Sequence, residues 1–240
     1  MEKEDLVKID IVIPVYNEAP ILRKNVSRVV SFLELDSAYK DYKVIIVDNG
    51  SRDKTFEIAQ ELAVQYAKVN VIHLNQKGRG RALRKAWQES EADIVSYMDA
   101  DLSTDLEAMH KLFNAIIIDG YDIAVGFRLS SVFRVKRTLV RSFLSYGYNL
   151  LIKIIWRIKE LPDVQCGFKA LTKNAADAIV PKIENQNWFF DTELLILAYR
   201  RRCKIKFIPV KWEERLNGKV KILDTVFEDI VGIVKLLIKK

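Results

Sequence analysis

The chain has 240 residues, half of them apolar and 30% charged, with a formal net charge of +7. That composition belongs to a folded globular protein and excludes disordered, collagenous and low-complexity classes. Two cysteines (Cys166, Cys203) and two histidines (His73, His110) are too few for a disulfide framework, a structural zinc site or histidine-cluster chemistry. The N-terminus is charged and has no apolar signal core. The longest uncharged apolar candidate, Ser142–Ile152, has 11 residues, well short of the roughly 18 that a membrane span needs. A single domain over 1–240 in a reduced, cytoplasmic setting is expected.

In chain order, β-branched runs alternate with helical patterns. Strands are expected at Ile9–Ile13, Lys43–Asp48, Asn70–Leu74, Asp93–Met98 and Tyr121–Gly126, with helices near 19–36, 54–68, 80–90 and 105–119. Continuous apolar strands separated by helices predict an α/β fold, a mostly parallel central sheet covered on both faces. A long helix follows near 138–158, a strand near 167–171, a helix near 191–202, a strand at Lys204–Pro209 and an apolar, amphipathic C-terminal helix from about 222. Within the one domain, 9–127 forms a first half, 128–222 a second, and 223–240 the terminal helix.

The charge is concentrated. Residues 128–160 hold eight basic side chains against Glu160 alone, and the rest of the chain balances. The same segment carries Phe133, Phe143, Tyr146, Tyr148 and Trp156. A basic stretch with apolar faces suits an anionic ligand or an anionic membrane surface. No nucleic-acid motif accompanies it, so a nucleic-acid partner is not expected.

In parallel α/β sheets ligands bind beyond the carboxyl ends of the strands. Polar and acidic residues follow the first strand (Pro14-Val15-Tyr16-Asn17-Glu18), the second (Asp48-Asn49-Gly50-Ser51) and the fourth (Asp99-Ala100-Asp101). Neither GxGxxG after the first strand nor GxxxxGK[ST] occurs, which disfavours dinucleotide dehydrogenases and P-loop enzymes. Asp99 and Asp101, two apart in extended chain, face one side and are the candidate ligands of a hard cation, Mg²⁺ or Mn²⁺.

In order and spacing, PVYNE (14–18), VDNGSRDKT (47–55), KGRGRAL (77–83), DAD (99–101), GFR (126–128), RSFLS with GYN (141–149), DVQCGFK (163–169), WFFDTELL (188–195) and VKWEE…GKV (210–220) resemble family-2 inverting glycosyltransferases of the GT-A, Rossmann-like fold. Within that family they are similar to the branch acting on polyprenyl (dolichyl) phosphate, QCGFK and FDTELL resembling glucose more than mannose synthases. The resemblance implies that Pro14, Tyr16, Glu18 and Asp48 hold the base and ribose of a nucleotide-sugar donor. It places Gly78, Arg79, Gly80 and Asp99 at the diphosphate, with Arg81 an alternative cation. Asp99 and Asp101 would bind the metal. Asp191, Glu193 and Asp101 would carry the chemistry, Asp191 chiefly orienting the sugar. Arg128, Arg141, Ser145 and Lys219 would bind the acceptor phosphate, which is already anionic near neutrality and needs no base.

The implied reaction moves hexose from UDP-glucose, or GDP-mannose, to a polyprenyl phosphate at the cytoplasmic membrane face. Membrane contact would be peripheral, through 128–160, the C-terminal helix or a partner subunit. A sugar-hydroxyl acceptor is the other enzyme class and would need Asp191 as base. Asn49, Ser103 and Asn217-Gly218-Lys219 depart from the family pattern. Glu18 and Glu193 each have a structural alternative, favouring or capping a helix start, and Gly50 has another, a simple turn.

Overall fold

The computed structural model describes residues 6–36, 39–128, 138–158, 160–213 and 222–238, and the side chains of 138–145 and 222–227 lie outside that description. Its elements are β1 (Ile9–Val15), α1 (Ala19–Leu35), β2 (Tyr42–Asp48), α2 (Thr55–Gln65), β3 (Val69–His73), α3 (Arg79–Glu89), β4 (Ile94–Met98) and α4 (Ala108–Ile117). There follow β5 (Ile123–Arg128), α5 (Thr138–Trp156), β6 (Phe168–Thr172), α6 (Lys173–Ile179), α7 (Phe190–Arg200), β7 (Ile205–Val210) and α8 (Ile222–Ile238). Every expected strand and helix is present within a few residues. The addition is α6, which the sequence pattern does not announce: Thr172 caps it by accepting a hydrogen bond from Ala175 N at 3.1 Å, a short polar start with too few turns for a periodic pattern to show.

The strands form one seven-stranded sheet in the order β3-β2-β1-β4-β6-β5-β7. All pairings are parallel except those of β6, which runs antiparallel between β4 and β5. Alternation along the inner strands divides the core in two. Ile11, Ile13, Val44 and Ile46 pack toward α1, α2 and α4, whereas Val12, Ile45, Val47 and Tyr97 pack toward α3, α6, α7 and the described part of α8. Helices on both faces leave the ends of the strands as the open surface.

α5 and α8 keep apolar side chains in solvent as well as in the core. Ile152, Ile233 and Leu236 are buried, while Tyr146, Leu150, Leu151 and Ile154 on α5 and Ile230, Val234, Leu237 and Ile238 on α8 are exposed. Steps of four, one and three residues in α5, and of four, three and one in α8, keep each exposed set along one helix face. No helix among the described residues is long and apolar enough to cross a membrane.

Candidate active site at the strand ends

Parallel pairing of β1 with both β2 and β4 sets Val15 opposite Asp48 and Val12 opposite Tyr97, so the loops after these strands share one edge. At the end of β2, Asp48 is fully buried and its Oδ2 lies 2.8 Å from His73 Nδ1, with Ser51 N donating to the same carboxylate at 3.3 Å. The turn after β1 is tied to the VDNGSRDKT segment. Asn17, at φ 55°, donates from its backbone N to Ser51 Oγ and accepts from Arg52 N, and Glu18 N donates to Thr55 Oγ1. Pro14 lies in β1 opposite Val47. Lys77 Nζ sits over the Tyr16 ring at 4.2 Å. Glu18 occupies the N-cap position of α1 without a side-chain capping bond.

Gly78 and Gly80 open α3. A Cβ on Gly78 would come within 2.6 Å of the Gln186 carbonyl, and one on Gly80 within 2.7 Å of Phe190 Cβ. Both glycines thus let α3 approach α7 and the loop before it. Arg81 turns away, donating to Lys77 O at 2.6 Å. Arg79 turns inward. Its Nη2 donates to Asp99 Oδ1 at 2.8 Å and its Nη1 to Asp191 Oδ2 at 2.6 Å, while its guanidinium lies 5.0 Å from the ring centres of both Tyr97 and Trp188. Among the described residues its buried Nε has no partner.

The acidic turn follows β4. Asp99 keeps 42% of its side chain exposed. Burial among protein groups raises its pKa, as do Asp101 and Asp191, against the lowering pull of Arg79. Asp101 Oδ1 accepts from Ser103 N at 2.9 Å. Two hard carboxylates at the strand ends, Asp99 partly exposed, fit one Mg²⁺ or Mn²⁺ completed by substrate oxygens and water. Among the described residues no group of three or more His, Cys, Asp or Glu converges on a metal position. Gly167 closes the other wall: a Cβ there would overlap the Asp99 carboxylate and reach 2.6 Å from Arg79 Nη2.

Asp191, in the first turn of α7, is buried with both oxygens occupied. Oδ2 accepts from Arg79, and Oδ1 accepts from Lys169 Nζ at 2.6 Å and from the Tyr97 hydroxyl. Burial by itself would raise its pKa, but Lys169 and Arg79 outweigh burial and hold it below the ordinary carboxylate value. Tyr97 is pushed well above the ordinary phenol value, by burial first and Asp191 second, so it remains a donor.

Glu193 points elsewhere. Its carboxylate accepts the backbone N–H groups of Glu184 and Asn185 at 3.1 and 2.9 Å, anchoring the loop whose Gln186 carbonyl accepts from Arg81 N. Arg128 is paired with Asp163 through two hydrogen bonds, Nε to Oδ2 at 2.6 Å and Nη2 to Oδ1 at 2.9 Å, and faces Trp212. The side chains of Arg141 and Ser145, and all of Lys219, lie outside the described residues. Cys166 is buried, and burial pushes its thiol up to about 12, which suits packing and not nucleophilic chemistry.

The structure therefore brings Arg79, Asp99 and Asp191 together and sets Glu193 and Arg128 in separate hydrogen-bonded contacts. Sequence reasoning missed Tyr97, Lys169, His73, Asp163 and Trp188. Asp163, Lys169 and Trp188 lie in the family motifs, and Lys169 carried a further signal as the one charged residue of the strand FKALT.

Residues 10–180 match the family model described as glycosyl transferase family 2. The chain is 34% identical over 227 residues to glycosyltransferase AglD of Haloferax volcanii, covering 94% of this chain and 36% of that protein. It is 30% identical to the dolichyl-phosphate beta-glucosyltransferase of Saccharomyces cerevisiae, over 92% of this chain and 71% of that one. The corresponding figures for the human dolichyl-phosphate beta-glucosyltransferase are 33%, 89% and 69%. The chain thus spans about a third of the length of AglD and roughly two thirds of these beta-glucosyltransferases. Glucosyl-3-phosphoglycerate synthase of Mycobacterium tuberculosis superposes with a TM-score of 0.72 at 18% identity, over 95% of this chain and 80% of that one. The same enzyme with Mn²⁺, UDP and glucosyl-3-phosphoglycerate gives 0.68 at 17%, over 95% and 79%. The fold is GT-A, and the chain belongs to glycosyl transferase family 2.

Proposed function

We propose that this chain transfers one hexose, with inversion, from a nucleotide diphosphate sugar to a polyprenyl phosphate of the dolichyl type. UDP-glucose is the preferred donor and GDP-mannose the second. The observation that carries the acceptor class is the state of Asp191. A general base needs a free lone pair aimed at the proton it removes. Asp191 is buried, accepts from three donors and has a lowered pKa. A site built this way suits a nucleophile that arrives without a proton to lose, and a phosphate monoester is one. The beta-glucosyltransferase relatives carry dolichyl phosphate in their names, which supports the same class.

In this reading Asp48, Glu18, Tyr16 and Pro14 hold the nucleoside. Asp99 and Asp101 would hold Mg²⁺ or Mn²⁺, which when bound neutralises charge on the departing nucleoside diphosphate. Arg79 supplies a fixed cation beside that diphosphate, and Asp191 orients the sugar side of the site through Arg79, whose guanidinium it holds. Arg128, Arg141, Ser145 and Lys219 are the proposed cradle of the lipid phosphate, Arg128 being oriented by Asp163. Glu193 acts through the loop it anchors. The exposed apolar faces of α5, which lies within the basic segment 128–160, and of α8 suit peripheral contact with the cytoplasmic face of a membrane, alone or with a membrane partner subunit.

The test is transfer from radiolabelled UDP- and GDP-sugars to dolichyl phosphate in detergent with Mg²⁺ or Mn²⁺, Asp101→Ala serving as control. Label entering lipid from one donor, and lost in the control, establishes the class and the sugar. Donor binding with no lipid product from any donor overturns the acceptor assignment.

A further inference from the structure

A lysine with no exposed surface is costly unless every proton of its ammonium is taken up. Lys169 is 0% exposed. It lies in β6 at the centre of the sheet, opposite Tyr97 of β4 and Val125 of β5. Its Nζ donates to Asp191 Oδ1 at 2.6 Å and to the Cys166 carbonyl at 2.7 Å, with the Val164 carbonyl and the Tyr97 hydroxyl each at 3.2 Å. Apart from the Tyr97 hydroxyl, these acceptors belong to two structures. Asp191 is the buried acid of the site. Val164 and Cys166 belong to the turn before β6, which also carries Asp163 against Arg128, Gln165 against Asp229 and Gly167 against Asp99 and Arg79. One ammonium therefore sets the distance between the carboxylate and a turn that touches Asp99 on one side and Arg128 on the other.

We propose that Lys169 is a positioning residue of the transfer reaction: it locks Asp191 in place as a hydrogen-bond acceptor and clamps the 163–167 turn to it, holding the donor and acceptor subsites in register. It touches neither substrate and acts through Asp191 and the turn; this role rests on the transfer reaction proposed above. The nucleoside subsite, at Asp48 and the 14–18 turn, is built from other strands and does not depend on it. Loss of the lysine should therefore slow the chemical step far more than it weakens the donor.

The experiment compares Lys169→Met, Lys169→Gln and Lys169→Arg, each checked for folding by circular dichroism and thermal midpoint. Two reactions are followed: transfer from UDP-[¹⁴C]glucose to dolichyl phosphate, and release of free glucose to water without lipid. The Met and Gln variants are expected to lose about 100-fold in kcat in both reactions, with the donor KM within about 3-fold of wild type. Lys169→Arg, which keeps the charge, is expected to stay within about tenfold of wild type. A folded, uncharged variant with wild-type kcat overturns the proposal, and so does an Arg variant no better than Gln. Wild-type protein that releases glucose but never labels dolichyl phosphate sinks the acceptor assignment instead, and the glucose-release series then decides Lys169 by itself.

Discussion

Arg79 joins Asp99 to Asp191, one guanidinium nitrogen on each carboxylate, at 2.8 and 2.6 Å. The two acids come from different elements, the turn after β4 and the start of α7. The arginine is the counter-charge of both carboxylates, and a divalent ion held by Asp99 would share that carboxylate with it. Among the described residues its buried Nε has no acceptor.

Arg79→Gln should therefore bind Mn²⁺ more tightly in the absence of nucleotide, by about tenfold, which is about 1.4 kcal/mol. The same variant should bind UDP-glucose more weakly, because the fixed cation beside the diphosphate is gone. Titration of free Mn²⁺ by electron paramagnetic resonance reads the first effect and calorimetry the second. An unchanged Mn²⁺ affinity would show that Arg79 does not compete for Asp99.

Gly167→Ala inserts a methyl group into the Asp99 carboxylate and the Arg79 guanidinium. A loss of about 1–3 kcal/mol in stability is expected from such overpacking. Metal-dependent donor binding should fall with it, since Asp99 is the group displaced. Chemical denaturation and donor titration with and without Mn²⁺ separate the two effects. Wild-type values in both would place the 167 backbone farther from Asp99 than the structure does.

Glu193→Gln tests whether this acid acts through the loop or on the sugar. The carboxylate accepts two backbone N–H groups while buried, and an amide can accept only with its oxygen, leaving one donor unsatisfied. The expected cost is about 1–3 kcal/mol in stability. The donor KM should rise while kcat changes little, because the anchored loop contacts α3 and the acid does not face Asp191. A kcat loss at unchanged stability and KM would place Glu193 on the substrate.

The docking of α8 should depend on pH. Asp229 is buried beside Gln165, and burial first, then Glu228, raises its pKa to about 7 from the ordinary 3.8. The folded protein thus holds a proton that the unfolded chain has released between those values. Its contribution is fully present below about pH 4 and is lost as pH rises through about 7. A tenfold difference in proton affinity between the folded and unfolded chain is worth about 1.4 kcal/mol. Each kcal/mol moves the thermal midpoint by about 2–4 °C in a chain of this size. Asp229→Asn should flatten this part of the curve and stabilise the protein at pH 8. Thermal midpoints of both proteins from pH 5 to 8 decide it, and parallel curves would refute the assignment.

Much of the fold was legible in the chain because buried parallel strands must be continuous apolar runs and their covering helices must be amphipathic. Those patterns alone placed the strands and put Asp48, Asp99 and Asp101 at strand ends. The ordered motifs named the family, and local periodicity marked both helices that display apolar faces. Pairing across the sheet was not legible. The antiparallel insertion of β6 between β4 and β5 brings Lys169 beside Tyr97 and under Asp191, residues 72 and 22 positions away. Tertiary packing also turned Arg79 inward and Arg81 outward, although both sit in one KGRGR run, and tied Glu193 to backbone while leaving Asp191 in the site. Composition and spacing select which chemical groups reach the strand ends. Their partners, and so their charge states, follow only from which strands lie side by side, because hydrogen bonding and desolvation act over a few ångströms of space and not along the chain.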